Sequence, residues 1–228
     1  MPDFVSEERK ILLKSFGAKL HLISKKDGGF VKCVKLAKEY ARKKDVLLIN
    51  QFSNKLNIDT HYNTTAKEIL NKLNNIGGFV SGVGSGGTLM GVTNRLKEVF
   101  PNLKVALVEP KNSEIINKNK VNSHKIEGIA DDFIPDNFKK ENITHYYSIS
   151  DDDAITMSKM LAKELGLGVG ISSGANFLGS VLLNEDVNNV VTIFSDDNKK
   201  YLSILKDDTL LKEDFISNNI ELISYEIV

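Results

Sequence analysis

The 228 residues contain no tryptophan, one cysteine and four prolines. The lone thiol, Cys33, cannot close an internal disulfide, and its place in a helical pattern reads as a core thiol rather than a nucleophile. Aromatic residues make up 7% of the chain, too few for a base-stacking platform. Thirty basic residues balance thirty acidic ones, so no net charge draws the chain to nucleic acid. No apolar run is long enough to span a bilayer, and the opening Met1-Pro2-Asp3-Phe4-Val5-Ser6 has neither the basic nor the apolar part of a secretory leader. A cytoplasmic protein with no membrane and no nucleic-acid partner is the expectation. Hydrophobic content of 41% and charged content of 26% are those of an ordinary globular chain, long enough for one large domain or two small ones.

Glycine, by contrast, is concentrated. Val80 to Gly91 reads Val-Ser-Gly-Val-Gly-Ser-Gly-Gly-Thr-Leu-Met-Gly. An apolar run from Gly78 to Val83 enters this stretch, and Val92, Leu96 and Val99 leave it at helical spacing. Strand, glycine turn and helix together aim backbone N–H groups and the positive end of a helix dipole at an anion. Ser85 and Thr88 add hydroxyl donors. Two ligands fit this pattern. Gly82-x-Gly84-x-x-Gly87 satisfies a dinucleotide fingerprint, with Glu109 about where a ribose-binding acid belongs. A single phosphomonoester would instead need only the compact loop Gly84 to Thr88. A nucleoside triphosphate is disfavoured, because no lysine follows the glycines.

The rest of the chain alternates helix and strand. Helices are expected from Ser6 to about Phe16, over Val31–Tyr40, over Thr65–Leu73, from Ser150 to about Leu165, and from Ser172 onward. Strands are expected at Leu20–Ile23, Asp45–Asn50, Lys104–Val108, His145–Ile149 and Val190–Phe194. Gln51 to Thr64 is polar and aperiodic and reads as a linker, and Asn112 to Lys125 as weakly ordered. The alternation predicts a parallel sheet covered on both faces. Asp131 and Asp132 read as a solvated loop rather than a metal site, and no metal is expected.

Five motifs in order resemble the cysteine synthase and cystathionine β-synthase family, pyridoxal-phosphate (PLP) enzymes of fold type II. Gly84-Ser85-Gly86-Gly87-Thr88-Leu89-Met90-Gly91 is similar to its GTGGTITG loop. Gln51-Phe52-Ser53-Asn54 and His61-Tyr62-Asn63-Thr64-Thr65-Ala66-Lys67-Glu68-Ile69 resemble QFxNPxNPxxHxxTTxxEI. His124 to Pro135 resembles HKIxGIGxxFIP, Val169 to Ala175 is similar to VGISSGA, and Met1-Pro2 through Arg9 resembles MPxxMSxERR. The resemblance covers residues 1 to about 205 and favours the phosphomonoester of PLP over NAD.

The resemblance implies a three-layer αβα parallel sheet, tryptophan-synthase-β-like, truncated at its N-terminus. Residues 1–53 would be the remnant of a small mobile domain and 54–228 the large domain that holds the phosphate. Gly84, Ser85, Gly86, Gly87 and Thr88 would bind the phosphate, and Ser172 the pyridine nitrogen. Gln51 would lie near the substrate carboxylate, with Gly128 and Ile129 facing the substrate amine. The implied reaction is β-replacement, O-acetylserine and sulfide giving cysteine and acetate. Condensation of cystathionine β-synthase type is the alternative within the family, and a non-catalytic PLP- or phosphate-binding protein the alternative outside it. A homodimer and a serine acetyltransferase partner are implied in the same way. The family's Schiff-base lysine and its TSGNTG loop belong to a stretch before the point where this sequence starts, and neither motif occurs in it. No catalytic residue is therefore assigned. Inside the matched motifs, Lys55 stands where the family pattern has proline and Ala130 where it has glycine. His61 and His124 are read as structural.

Overall fold

The computed structural model describes residues 1–206, 212 and 214–227. Residues 207–211, 213 and 228, at the end of the expected large domain, lie outside the described residues. The helices, in chain order, are α1 (Glu7–Ser15), α2 (Gly29–Tyr40), α3 (Lys55–Asn63), α4 (Thr65–Lys72), α5 (Gly87–Val99), α6 (Ile115–Lys118), α7 (Asp151–Leu165), α8 (Ile171–Asn184) and α9 (Leu202–Leu205). The strands are β1 (Gly78–Gly82), β2 (Lys104–Pro110), β3 (His145–Ile149) and β4 (Val190–Thr192). They form one parallel sheet in the order β3-β2-β1-β4.

Strand periodicity separates two cores. Phe79, Val105 and Leu107 point to one face, where they meet Leu89, Val92 and Leu96 of α5 and Ala66 of α4. Val80, Ala106 and Val108 point to the other, against Ala154, Met157 and Leu161 of α7 and Ala175 and Leu178 of α8. Helices cover both faces, the three-layer αβα arrangement expected from the alternation. Gly174 lets α8 lie on α7, since a Cβ there would sit 2.3 Å from the carbonyl oxygen of Ala154. The chain steps from β1 outward to β2 and β3 and then returns to β4 on the opposite side of β1. Strand order reverses between β1 and β4, and a parallel sheet opens a crevice at the carboxyl ends of such strands.

Several expectations are corrected. Leu20–Ile23 is not a strand, and only the isolated bridge between Pro2 and Ile23 forms there. Asp45–Asn50 is not a strand either, and Leu47 is 88% exposed. Both runs have β-forming residues, but no neighbouring strand among the described residues offers the ladder that would fix them. Gln51–Thr64 is no linker, because α3 occupies most of it. Asn54 caps α3 by accepting the Leu56 N–H at 3.0 Å, and α3 settles on α5 where Gly91 has no side chain. Backbone approach replaces the apolar stripe, which is why the periodicity is missing. Asn112–Lys125 contains α6, whose Ile116 and Asn117 N–H groups donate to the Glu109 carboxylate at 2.7 and 3.1 Å. Cys33 is half-buried on α2 rather than in the core.

Candidate functional site

The chain leaves β1 at Gly82 and enters α5 at Gly87, so the intervening loop lies in the crevice where strand order reverses. Three of its positions exclude a side chain. A Cβ at Gly84 would lie 2.3 Å from the Gly128 carbonyl oxygen, and one at Gly87 would lie 2.0 Å from Asn57 Oδ1. Gly86, the residue before α5, has φ of +82°, a conformation that side chains resist. The first amides of α5 have no intrahelical carbonyl to bond, and here they gather around a loop that glycine has kept bare.

The loop's hydroxyls are supported from behind. Ser85 Oγ accepts from Asn57 Nδ2 at 2.8 Å, and Thr88 Oγ1 lies 3.2 Å from His61 Nε2. The other ring nitrogen of His61 is 3.0 Å from Thr65 Oγ1, and burial holds its pKa below the ordinary histidine value. The neutral ring joins α4 to the cradle between two hydroxyls, a role given by packing rather than by proton transfer. His124 Nε2 lies 3.1 Å from the Ala130 carbonyl, which only accepts, so the proton is on Nε2.

Opposite the glycine loop runs the segment from Glu127 to Asp132. It is stitched to β1 by the Ala130 N–H, which donates to the Val83 carbonyl at 2.8 Å. Gly128 has φ of +96° and open space around its Cα, so its backbone borders the crevice. The Ile129 side chain turns the other way and fills the space over Gly82, where a Cβ would meet it at 2.5 Å. Only the backbone of residue 129 is thereby left for a ligand. Ala130 has φ of +53°, the left-handed conformation that a glycine would take without strain. Asp132 is exposed as expected, but Asp131 is half-buried, and desolvation together with the Asp132 charge pushes its carboxyl up to about 6.

The first turn of α8 reaches the same crevice. Asn176 Oδ1 accepts the Gly82 N–H at 2.8 Å and its Nδ2 donates to the Ile193 carbonyl at 3.0 Å, pinning α8 to the ends of β1 and β4. Ser172 lies one turn earlier on the same helix face and is buried. Its neighbour Ser173 is fully buried, with a hydroxyl that has no partner among the described residues. Gln51 is exposed and held by its backbone carbonyl, which accepts from Asn57 and Asn137. Lys10 is the only buried lysine among the described residues, and its ammonium is taken by Glu7 and the Asp3 carbonyl.

The structure thus brings Gly84 and Gly128 together, carries Ser172 on the helix that Asn176 pins to Gly82, and links the Gln51 carbonyl to Ser85 through Asn57. The sequence reading missed Asn57, Asn137 and Asn176. Asn57 had a signal, since it falls inside a matched motif, whereas Asn137 and Asn176 had none. Bare backbone, a helix N-terminus and paired hydroxyls suit a phosphate dianion.

Known proteins match on this ground. The family model described as pyridoxal-phosphate dependent enzyme matches residues 1–196. Cysteine synthase B of Campylobacter jejuni is 38% identical over 206 residues, which are 89% of this chain and 69% of that protein. The O-acetylserine dependent cystathionine beta-synthase of Bacillus subtilis is 34% identical over 210 residues, 89% of this chain and 67% of its own length. The crystal structure of a hydrogen sulfide-producing enzyme from Fusobacterium nucleatum superposes with a TM-score of 0.90 at 49% identity, over 96% of this chain and 68% of that one.

Proposed function

Because the chain belongs to the family of pyridoxal-phosphate dependent enzymes, we propose that its crevice anchors PLP for a β-replacement of cysteine synthase type. The observation that carries this reading is the loop Gly84–Gly87 at the N-terminus of α5, in which Ser85 bears the one side chain and close approach or positive φ keeps the other three positions glycine. Gly84, Ser85, Gly86, Gly87 and Thr88 hold the phosphate, and Ser172 holds the ring nitrogen by a neutral hydrogen bond. When bound, PLP supplies an electron-withdrawing ring beside the substrate's Cα. The substrate is an amino acid with a leaving group on its β carbon, of which O-acetylserine is the example, and sulfide is the nucleophile. Gln51 faces the substrate carboxylate, and the backbone of Gly128 and Ile129 borders its amine. Asp131, close to half-ionised near pH 6, is a carboxyl able to hold or release a proton at the edge of the crevice. In this reading residues 1–53 are the mobile part and 54–228 the anchoring part of the unit. A homodimer and a serine acetyltransferase partner belong to the same proposal.

A second reading runs the sulfur the other way. Identity to one hydrogen sulfide-producing enzyme of Fusobacterium nucleatum is 49% and to another 33%, against 34–38% for the cysteine synthases. Cysteine would then be the substrate and sulfide the product.

Titrating the chain with PLP, reducing with borohydride and mapping the labelled peptide tests both. Saturable PLP binding that inorganic phosphate displaces is expected, and failure to bind either would overturn the anchoring reading. A labelled lysine would give the reactive amine. Sulfide consumed with O-acetylserine, or released from cysteine, decides the direction.

A further inference from the structure

The carbonyl oxygen of Gln51 receives two side-chain amides. Asn57 Nδ2 donates to it at 2.9 Å and Asn137 Nδ2 at 2.7 Å. The same two groups also reach the glycine loop, Asn57 Nδ2 to Ser85 Oγ at 2.8 Å and Asn137 Nδ2 to Ser85 O at 3.3 Å. A primary amide carries two N–H donors, so each asparagine can serve both partners together. Asn137 is 5% exposed, and its own N–H donates to the Phe52 carbonyl at 3.1 Å. It also lies directly against Gly86, 3.4 Å from where a Cβ would stand. Asn57 comes from the start of α3, the helix that rests on α5 at Gly91.

The bond directions matter. Ser85 Oγ accepts from Asn57, which leaves its hydroxyl hydrogen free to donate to an anion. A hydroxyl that donates to an anion becomes a better acceptor, because bonds in a chain polarise one another. An occupied loop therefore holds the Asn57 amide at Ser85, and the second hydrogen of the same nitrogen then meets the Gln51 carbonyl in a fixed position. Asn137 provides a parallel route from the Ser85 backbone. The Asn137 N–H bond to Phe52 already ties the Asn137 segment to the Gln51 turn, so what the side-chain arms add is the link to Ser85 in the glycine loop.

We infer that Asn57 and Asn137 are positioning residues that transmit anion occupancy of the Gly84–Thr88 loop to Gln51. The inference rests on the phosphate reading of that loop. It makes the loop that meets the amino-acid carboxylate more firmly ordered when the cofactor's phosphate is in place.

Hydrogen exchange at the Ser53 and Asn54 amides, which donate to the Asn50 carbonyl at 3.1 and 3.0 Å, reads the order of the Gln51 turn. Saturating the wild-type chain with PLP, and separately with inorganic phosphate, is expected to slow both amides about tenfold, the worth of roughly one net hydrogen bond. In Asn57→Leu and Asn137→Leu, which keep the backbone tether, ligand still binds but the slowing falls below about twofold. Ser85→Ala removes the hydroxyl route together with that hydroxyl's own bond to the anion, and at ligand concentrations raised to saturation it gives an intermediate slowing, which keeps the test open if Asn137→Leu does not fold. Wild-type binding without slowing, or full slowing in both asparagine variants, overturns the coupling while leaving the phosphate reading intact. Wild-type failure to bind PLP or phosphate overturns the phosphate reading, and the coupling with it.

Discussion

Gly78–Gly82 and Asp45–Asn50 are both short, apolar and extended, and they end in opposite circumstances. The first is β1, with a parallel neighbour on each side and helices on both faces, and Phe79 and Val80 have no exposed surface. The second has no ladder among the described residues, and Leu47 and Ile49 stand 88% and 69% exposed. The difference lies in the partners and not in the residues. A strand is a property of a pair, so one short apolar run becomes core and another an apolar surface.

The sharpest test sets equal truncations against each other. Phe79→Ala empties space between β1 and α5 and should cost about 3–5 kcal/mol, whereas Leu47→Ala should stay within about 0.5 kcal/mol. Urea denaturation measures both, and similar losses would break the comparison. Next in size is Gly84→Ala, where the added methyl meets the Gly128 backbone rather than a side chain that can swing away. A loss of about 1–3 kcal/mol is expected, together with loss of PLP binding in an absorbance titration.

The charge at Asp131 gives a smaller, pH-dependent effect. Its pKa in the folded chain is raised from 3.8 to about 6, so folding favours the protonated acid. Stability should be fullest below about pH 4, fall as pH rises to about 6, and stay level above, by on the order of 1 kcal/mol for a half-buried group. Asp131→Asn should remove that slope in melts taken across the range. Ala130→Gly should raise stability by about 0.5–1 kcal/mol by relieving the left-handed backbone, read as a higher melting temperature. Smallest in stability but visible in mass is Leu47→Lys with Ile49→Lys. The exposed run predicts self-association, which this pair should weaken in sedimentation while leaving stability within about 0.5 kcal/mol.

What could be read from the sequence follows the same division. β1, α5, β2, β3, α7 and α8 each carry their own signal, either an apolar period or a cap such as Ser150, whose Oγ accepts the Asp153 N–H. The glycine loop was legible because its chemistry is local. The α3 helix was not, since its packing depends on a glycine about thirty residues away on α5. Leu20–Ile23 and Asp45–Asn50 misled because their local pattern is right and their neighbours are wrong. Glu109 had a plausible cofactor role by spacing, and in the fold it caps α6 instead. The Asn57 and Asn137 amides join segments far apart in the chain, which no local pattern encodes.

The fastening of α1 has a consequence in time. Its Glu8 carboxylate accepts the Ser203 N–H at 2.7 Å and the Ser203 hydroxyl at 3.0 Å, and Arg9 reaches the Tyr201 hydroxyl at 3.4 Å. These partners are synthesised 195 and 192 residues after the helix they hold. At about 5–20 residues per second, a nascent chain carries that helix for roughly 10–40 seconds before these two contacts exist. During translation the contacts of α1 with Tyr201 and Ser203 therefore form well after those it makes with Glu127.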